Sequence, residues 1–176
     1  MTKSYLDDLT YRIVGAAIEV HKNVGAGLLE SVYHRCLMEE FKQRGIQYRS
    51  ELNVPIDYKG IDLDANLRCD FLVEEAMVVE LKAVDLIAPV FEAQLLTYMK
   101  LLKKPKGILI NFNCINIFKE GQQTFVNEYF RGCKLNCVKV GQTLTLAHNE
   151  RERIIQFRRD QEKGLGAISL RQIIVW

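Results

Sequence analysis

Of its 176 residues, the chain spends three on proline, three on histidine and one on tryptophan. No stretch approaches the roughly 18 consecutive apolar residues that a membrane-spanning helix needs, so no membrane helix is expected. The N-terminal segment carries Asp7 and Asp8 and no apolar run, which argues against a secretory signal. Five cysteines (Cys36, Cys69, Cys114, Cys133, Cys137) are odd in number and scattered. They fit reduced thiols and a cytoplasmic setting better than a disulfide frame. The histidines stand far apart and Cys133–Cys137 has no second pair, which disfavours a zinc site.

What is present reads as globular: 48% hydrophobic and 26% charged residues. The net charge of +2 hides an asymmetry. Residues 1–90 carry 10 Lys/Arg against 15 Asp/Glu, a net of −5, and residues 91–176 carry 14 against 7, a net of +7. Such a split hints at an anionic partner, yet 9 of those 14 bases lie beyond residue 130.

Apolar residues at helical spacing predict a helix over 6–22, ended by the glycines near residue 25. A second helix is expected over about 28–44. The period then changes to two. Strands are expected over 46–58, 61–73 and 77–83, joined at Lys59-Gly60 and Glu74-Glu75 as an antiparallel meander. Pro89 opens a helix over 90–103, and residues 107–112 read as a doubly buried strand of the same sheet. Beyond, the pattern suggests a short helix over 122–130, a hairpin around Gly141, a helix over about 150–163 and a last strand over 168–176. The fold class is therefore α/β (α+β): a central mixed β-sheet, an antiparallel meander plus a further strand, flanked by helices.

The informative residues are polar ones inside these periodic segments. Glu30 shares an edge of the second helix's apolar side with Tyr33 and Leu37. It is either a first-turn surface glutamate favoured by the helix dipole or a carboxylate aimed at a cation. Asp70 sits mid-strand, where aspartate is disfavoured unless it faces solvent. Glu80 and Lys82 share one strand face with Val78, opposite Val79 and Leu81. They form either a simple surface ion pair or part of a site. Gln94 and Tyr98 lie four apart on one helix face. In this topology all can converge on one end of the sheet. Three carboxylates there would take up protons unless a cation neutralised them, and an all-oxygen site suits Mg²⁺ or Mn²⁺.

The ordered blocks Gly27-Leu28-Leu29-Glu30-Ser31-Val32-Tyr33, Arg68-Cys69-Asp70-Phe71, Val79-Glu80-Leu81-Lys82, Glu92–Leu101 and Leu109-Ile110-Asn111-Phe112 resemble the GxxExxY proteins of the PD-(D/E)XK nuclease superfamily. The likeness spans about residues 5–130. It implies a restriction-endonuclease-like core over 1–130, with 131–176 as a C-terminal extension. It implies a metal-dependent nuclease whose Glu30, Asp70 and Glu80 hold divalent metal, with Lys82 and Gln94 completing the catalytic set. The proline that often precedes the motif aspartate is Cys69 here.

On that reading the Leu81 carbonyl is a further candidate metal ligand and Tyr98 supports Gln94. Lys100, Lys103, Lys104 and Lys106 could bind DNA phosphates, or equally favour the negative end of their helix. On the tail helix, acids interleave with Arg151, Arg153, Arg158 and Arg159, which favours a solvated helix over a nucleic-acid arm. Cleavage of both DNA strands needs two sites, so a homodimer is one arrangement the reading allows. A non-catalytic nucleic-acid-binding or protein-interaction module, and a hydrolase of another phosphate ester, are the alternatives on the same fold.

Overall fold

The computed structural model describes residues 1–63 and 67–134, together with the backbone of 139–140 and 143–144. Helix α1 (Lys3–Val24) starts where the Thr2 hydroxyl accepts the Tyr5 N–H at 3.2 Å. It ends at Gly25, whose φ of 72° would strain a side chain. Helix α2 (Glu30–Gln43) buries Tyr33, Leu37 and Phe41, four residues apart each. Both helices cover one face of the sheet, against Phe71, Val73, Met77, Val79, Leu81, Ile108 and Ile110.

The sheet itself comprises β1 (Tyr48–Asn53), β4 (Arg68–Val73), β5 (Met77–Lys82), β6 (Lys106–Asn111) and β7 (Gln122–Val126), side by side in that order. β5 and β6 run parallel and every other neighbour antiparallel. The expected mixed sheet with its antiparallel meander is thus present. Helix α3 (Pro89–Leu101) connects β5 to β6 and covers the other face. There Leu95, Tyr98 and Met99 meet Cys69, Leu72, Val78 and Leu109. Gly107 lets α3 sit this close, because a Cβ there would stand 2.7 Å from the Met99 sulfur and 2.9 Å from a Leu95 methyl.

Three expectations need correction. The strands expected over 46–58 and 61–73 are each interrupted. Pro55 has no N–H to continue a ladder, and the outer pieces β2 (Ile56–Tyr58) and β3 (Ile61–Leu63) pair only with each other, as a separate two-stranded arm. Residues 122–126, expected as helix, form β7, and only Glu128–Arg131 is helical (α4). The outer edge of buried β6 needs partners for its backbone groups, and the Thr-Phe-Val of β7 suits a strand. The turn at Glu74-Glu75, both residues at positive φ, takes in Ala76 as a third residue, since Val73 pairs with Met77.

Phe130 of α4 and Cys133 just beyond it pack on the core, and the Lys3 N–H donates to the Lys134 carbonyl at 3.0 Å. The expected hairpin around Gly141 corresponds to β8 (Lys139–Val140) paired with β9 (Thr143–Leu144). The helix expected over 150–163 and the strand over 168–176 lie outside the described residues. Among the described residues no helix is long and apolar enough to cross a membrane.

Candidate active site at the splayed ends of two strands

The ladder between β4 and β5 runs from the Val73–Met77 pair to Phe71–Val79 and stops. Beyond it the strands exchange side-chain bonds instead of backbone ones. The Asp70 N–H donates to Glu80 Oε1 at 3.2 Å, and the Leu81 N–H donates to Asp70 Oδ2 at 2.7 Å. The two carboxylates therefore occupy the gap between the strands and satisfy donors that the ladder would otherwise use. The pleat slips at the same place. Cys69 and Leu72 face α3 although three residues apart, while Phe71 and Val73 face α1 and α2. In β1 opposite, Glu51 takes a φ of 51° between the Ser50–Phe71 and Leu52–Cys69 pairs. The β1–β4 register stays constant through this stretch, so Asp70 lies opposite Glu51 with no inserted residue, and what accommodates an aspartate in the strand is the two backbone donors that it and Glu80 take up.

Strand β5 sends Val79 and Leu81 to one core and Val78 to the other. By the two-residue period Glu80 and Lys82 lie on the Val78 side, and Lys82 Nζ stands 5.4 Å from the centre of the Phe91 ring of α3. Glu80 is 2% exposed and Lys82 9%. Lys82 Nζ donates to the Leu81 carbonyl at 2.6 Å. It lies 3.7 Å from Glu80 Oε2 and 3.8 Å from Glu30 Oε1. Glu30 is the first residue of α2, where the helix dipole favours a carboxylate, and it is half-exposed.

These groups line one cleft of about 500 Å³ with Asp70, Gln94, Tyr98, Asn53, Leu67 and Arg68. Gln94 Nε2 donates to the Tyr98 hydroxyl at 2.8 Å across one turn of α3. Glu30, Asp70, Glu80, Lys82, Gln94 and Tyr98 therefore meet at one end of the sheet, where the order of helices and strands allowed them to converge. Burial, then the Asp70 carboxylate, push the Glu80 pKa up to about 8 against the pull of Lys82. Burial also raises Glu30, with Lys82 opposing and Asp70 adding to the rise. Burial raises the Tyr98 hydroxyl, with its Gln94 bond opposing.

The lysines expected to bind substrate are elsewhere. α3 leads away from the cleft, and Lys100 and Lys103 are exposed near its C-terminal end. Lys104 Nζ donates to the Glu75 carbonyl at 2.8 Å, at the β4–β5 turn, and Lys106 bonds Asp7 at 2.6 Å. The turn is at the opposite end of β5 from Lys82, roughly 16 Å away at the usual rise of a strand.

Three residues near the cleft were missed. Arg68, paired with Glu51 at 3.4 Å, precedes Asp70 by two strand positions, which is the signal that could have found it. Asn53 pairs with Arg68 across β1 and β4 and was hidden by the unrecognised break at Pro55. Asn111 holds the exit from β5: its Oδ1 accepts the Val84 N–H at 3.1 Å and its Nδ2 donates to the Val84 carbonyl at 2.7 Å.

Among the described residues no three His, Cys, Asp or Glu side chains are drawn together as a ready-made metal cluster. The donor chemistry nonetheless fits a hard divalent cation. Asp70, Glu80 and the Leu81 carbonyl offer only oxygen, and Mg²⁺ commonly takes one or two carboxylates and fills its remaining positions with water.

No curated protein and no solved structure matched the chain. A family model did, over residues 7–125, which is more than half of the length and includes every cleft residue named above. The name of that family abbreviates a residue pattern, Pro-Asp followed by Asp or Glu, any residue and Lys; Asp70, Glu80 and Lys82 match it with Cys69 in the place of the proline, and the chain belongs to the PD-(D/E)XK nuclease superfamily.

Proposed function

We propose that the chain is a divalent-metal-dependent nuclease that hydrolyses phosphodiester bonds in DNA, with its activity in a core of residues 1–130 and residues 131–176 as an extension. The observation that carries this reading is the gap between β4 and β5, where Asp70 and Glu80 are held against backbone N–H groups beside a buried Lys82. The buried Glu80 and the partly buried Asp70 share one lysine, and a cation would let both be ionised together.

Asp70, Glu80 and the Leu81 carbonyl would hold the ion, Mg²⁺ or Mn²⁺, with Glu30 reaching it directly or through water. Bound there, the ion supplies Lewis acidity: it acidifies water and offsets charge on a phosphate oxygen. Lys82 lies within reach of both Glu30 and Glu80. It orients the attacking water, accepts its proton, or donates to the charge that develops on phosphate. Gln94, fixed by its bond to the Tyr98 hydroxyl, positions water or phosphate. Arg68 is the cleft's other cation and meets the substrate backbone.

The test is cleavage of supercoiled, linear and single-stranded DNA and of RNA, with Mg²⁺, Mn²⁺ or EDTA, beside Lys82→Ala and Asp70→Ala. The expected result is metal-dependent DNA cleavage that both substitutions abolish. Cleavage that persists in both variants belongs to another protein and sinks the mechanism. Binding without cleavage in any metal replaces it with a non-catalytic module.

A further inference from the structure

Two residues of the sequence motifs, Tyr33 and Phe112, have no part in the chemistry above. Both are completely buried. A buried ring needs no hydroxyl, yet the Tyr33 hydroxyl is bonded twice. It donates to the Gly25 carbonyl at 2.8 Å and accepts the Leu28 N–H at 3.0 Å. The loop between α1 and α2 includes Gly25 and Gly27 at φ of 72° and 87°. The hydroxyl clasps this loop from within, and Glu30 begins α2 two residues after Leu28.

The ring meets the residue that follows β6, in the core on the α1 and α2 side of the sheet. Tyr33 stacks on Phe112 with centroids 4.4 Å apart and planes 8° from parallel. The Phe112 N–H donates to the Lys82 carbonyl at 2.8 Å. One side chain therefore touches the loop that delivers Glu30 and, through a single ring, the strand end that delivers Lys82. Glu30 Oε1 and Lys82 Nζ stand 3.8 Å apart at the meeting of these two paths.

We infer that Tyr33 is a positioning residue: its hydroxyl fixes the α1–α2 loop, and its stack on Phe112 fixes that loop against β5, which sets Glu30 opposite Lys82. The inference rests on the reading of Glu30 and Lys82 as working residues of the nuclease. Aromatic stacking alone holds the ring in the core, so Tyr33→Phe keeps the packing and removes only the clasp. A half-exposed carboxylate on an unclasped loop samples more positions, and a displacement of an ångström is costly to a reaction that depends on geometry.

The experiment compares the wild type, Tyr33→Phe, Glu30→Gln and the double variant in metal-dependent DNA cleavage, with amide exchange on each. Tyr33→Phe is expected to lower kcat about tenfold with KM within about twofold. In the Glu30→Gln background the same change is expected to cost less than about twofold, because there is no carboxylate left to position. The Leu28 amide is expected to exchange faster in Tyr33→Phe, while amides of β4 and β5 keep their protection. A wild-type rate in Tyr33→Phe, or equal losses in both backgrounds, would overturn the inference. Should the wild type cleave no nucleic acid, the nuclease reading falls, and exchange alone decides on Tyr33. Faster exchange confined to residues 25–30 keeps it as the residue that orders Glu30, and unchanged exchange there removes it.

Discussion

The two ends of the β4–β5 pair carry similar charged residues and treat them in opposite ways. At the turn end, Glu74 accepts the Tyr5 hydroxyl at 2.7 Å and pairs with Arg12 at 2.9 Å. Glu75 pairs with Arg49 at 2.7 Å and faces Lys104, and Asp7 pairs with Lys106. Each acid has its own cation. At the splayed end, Glu30, Asp70 and Glu80 face one lysine, while the cleft's arginine is engaged by Glu51. The first end is neutralised within the chain and serves the fold. The second gathers more carboxylates than cations around a buried glutamate, at a cost to stability that a bound cation would offset on the proposed reading.

The largest expected effect separates activity from stability. Lys82→Ala and Asp70→Asn should each lower metal-dependent cleavage at least about a thousandfold, within the range for loss of a catalytic group or metal ligand. Glu74→Gln at the turn end should leave the cleavage rate within about twofold. It should cost about 1 kcal/mol of stability through the weakened Arg12 pair, read by urea denaturation. A turn-end substitution that abolished cleavage would end the division of labour.

A second prediction concerns the surplus charge directly. Glu80 has its pKa raised from 4.5 unfolded to about 8 folded. Its protonated form is the one the fold favours, so its contribution is fully present below about pH 4.5 and is lost as pH rises toward 8. Without metal, Glu80→Gln should therefore melt higher than the wild type above neutral pH, and the gap should close toward pH 4.5. Added Mg²⁺ should raise the wild-type melting temperature and leave Glu80→Gln nearly unmoved, since only an ion that binds the folded state stabilises it. A wild type insensitive to divalent ions would contradict the proposed cofactor.

Much of the splayed end was legible in the sequence because local periods placed its residues. A period of two put Glu80 and Lys82 on one side of β5, and a spacing of four put Gln94 and Tyr98 on one side of α3. The order of helices and strands gave the sheet its layers. The gap that holds Asp70 was not legible, because it depends on the ladder stopping after Phe71–Val79 and on a slip in the pleat. β7 was missed because the free edge of β6, and not any pattern in residues 122–126, makes it a strand. For the lysines at the end of α3, substrate contact and pairing with the helix terminus stayed equal readings, because sequence shows that they cluster and not which end of the helix meets the cleft.

Those lysines provide the smallest effect and the sharpest contrast. Arg68 lines the cleft, whereas Lys104 is tied to Glu75 across the molecule. α3 runs seven residues past Gln94 to Leu101, roughly 10 Å at the usual helical rise, and neither Lys100 nor Lys103 lines the cleft, so substrate must extend along α3 to reach Lys103. Arg68→Ala should weaken binding of a short DNA duplex several-fold and flatten its salt dependence by about one phosphate contact. The Lys100→Ala/Lys103→Ala double variant should change neither by more than about twofold on that short duplex. Fluorescence anisotropy between 50 and 200 mM salt reads both quantities. Equal losses in the two variants would mean that the substrate lies along α3 and that both ends of this helix serve the cleft, which would erase the contrast on the α3 side of the sheet.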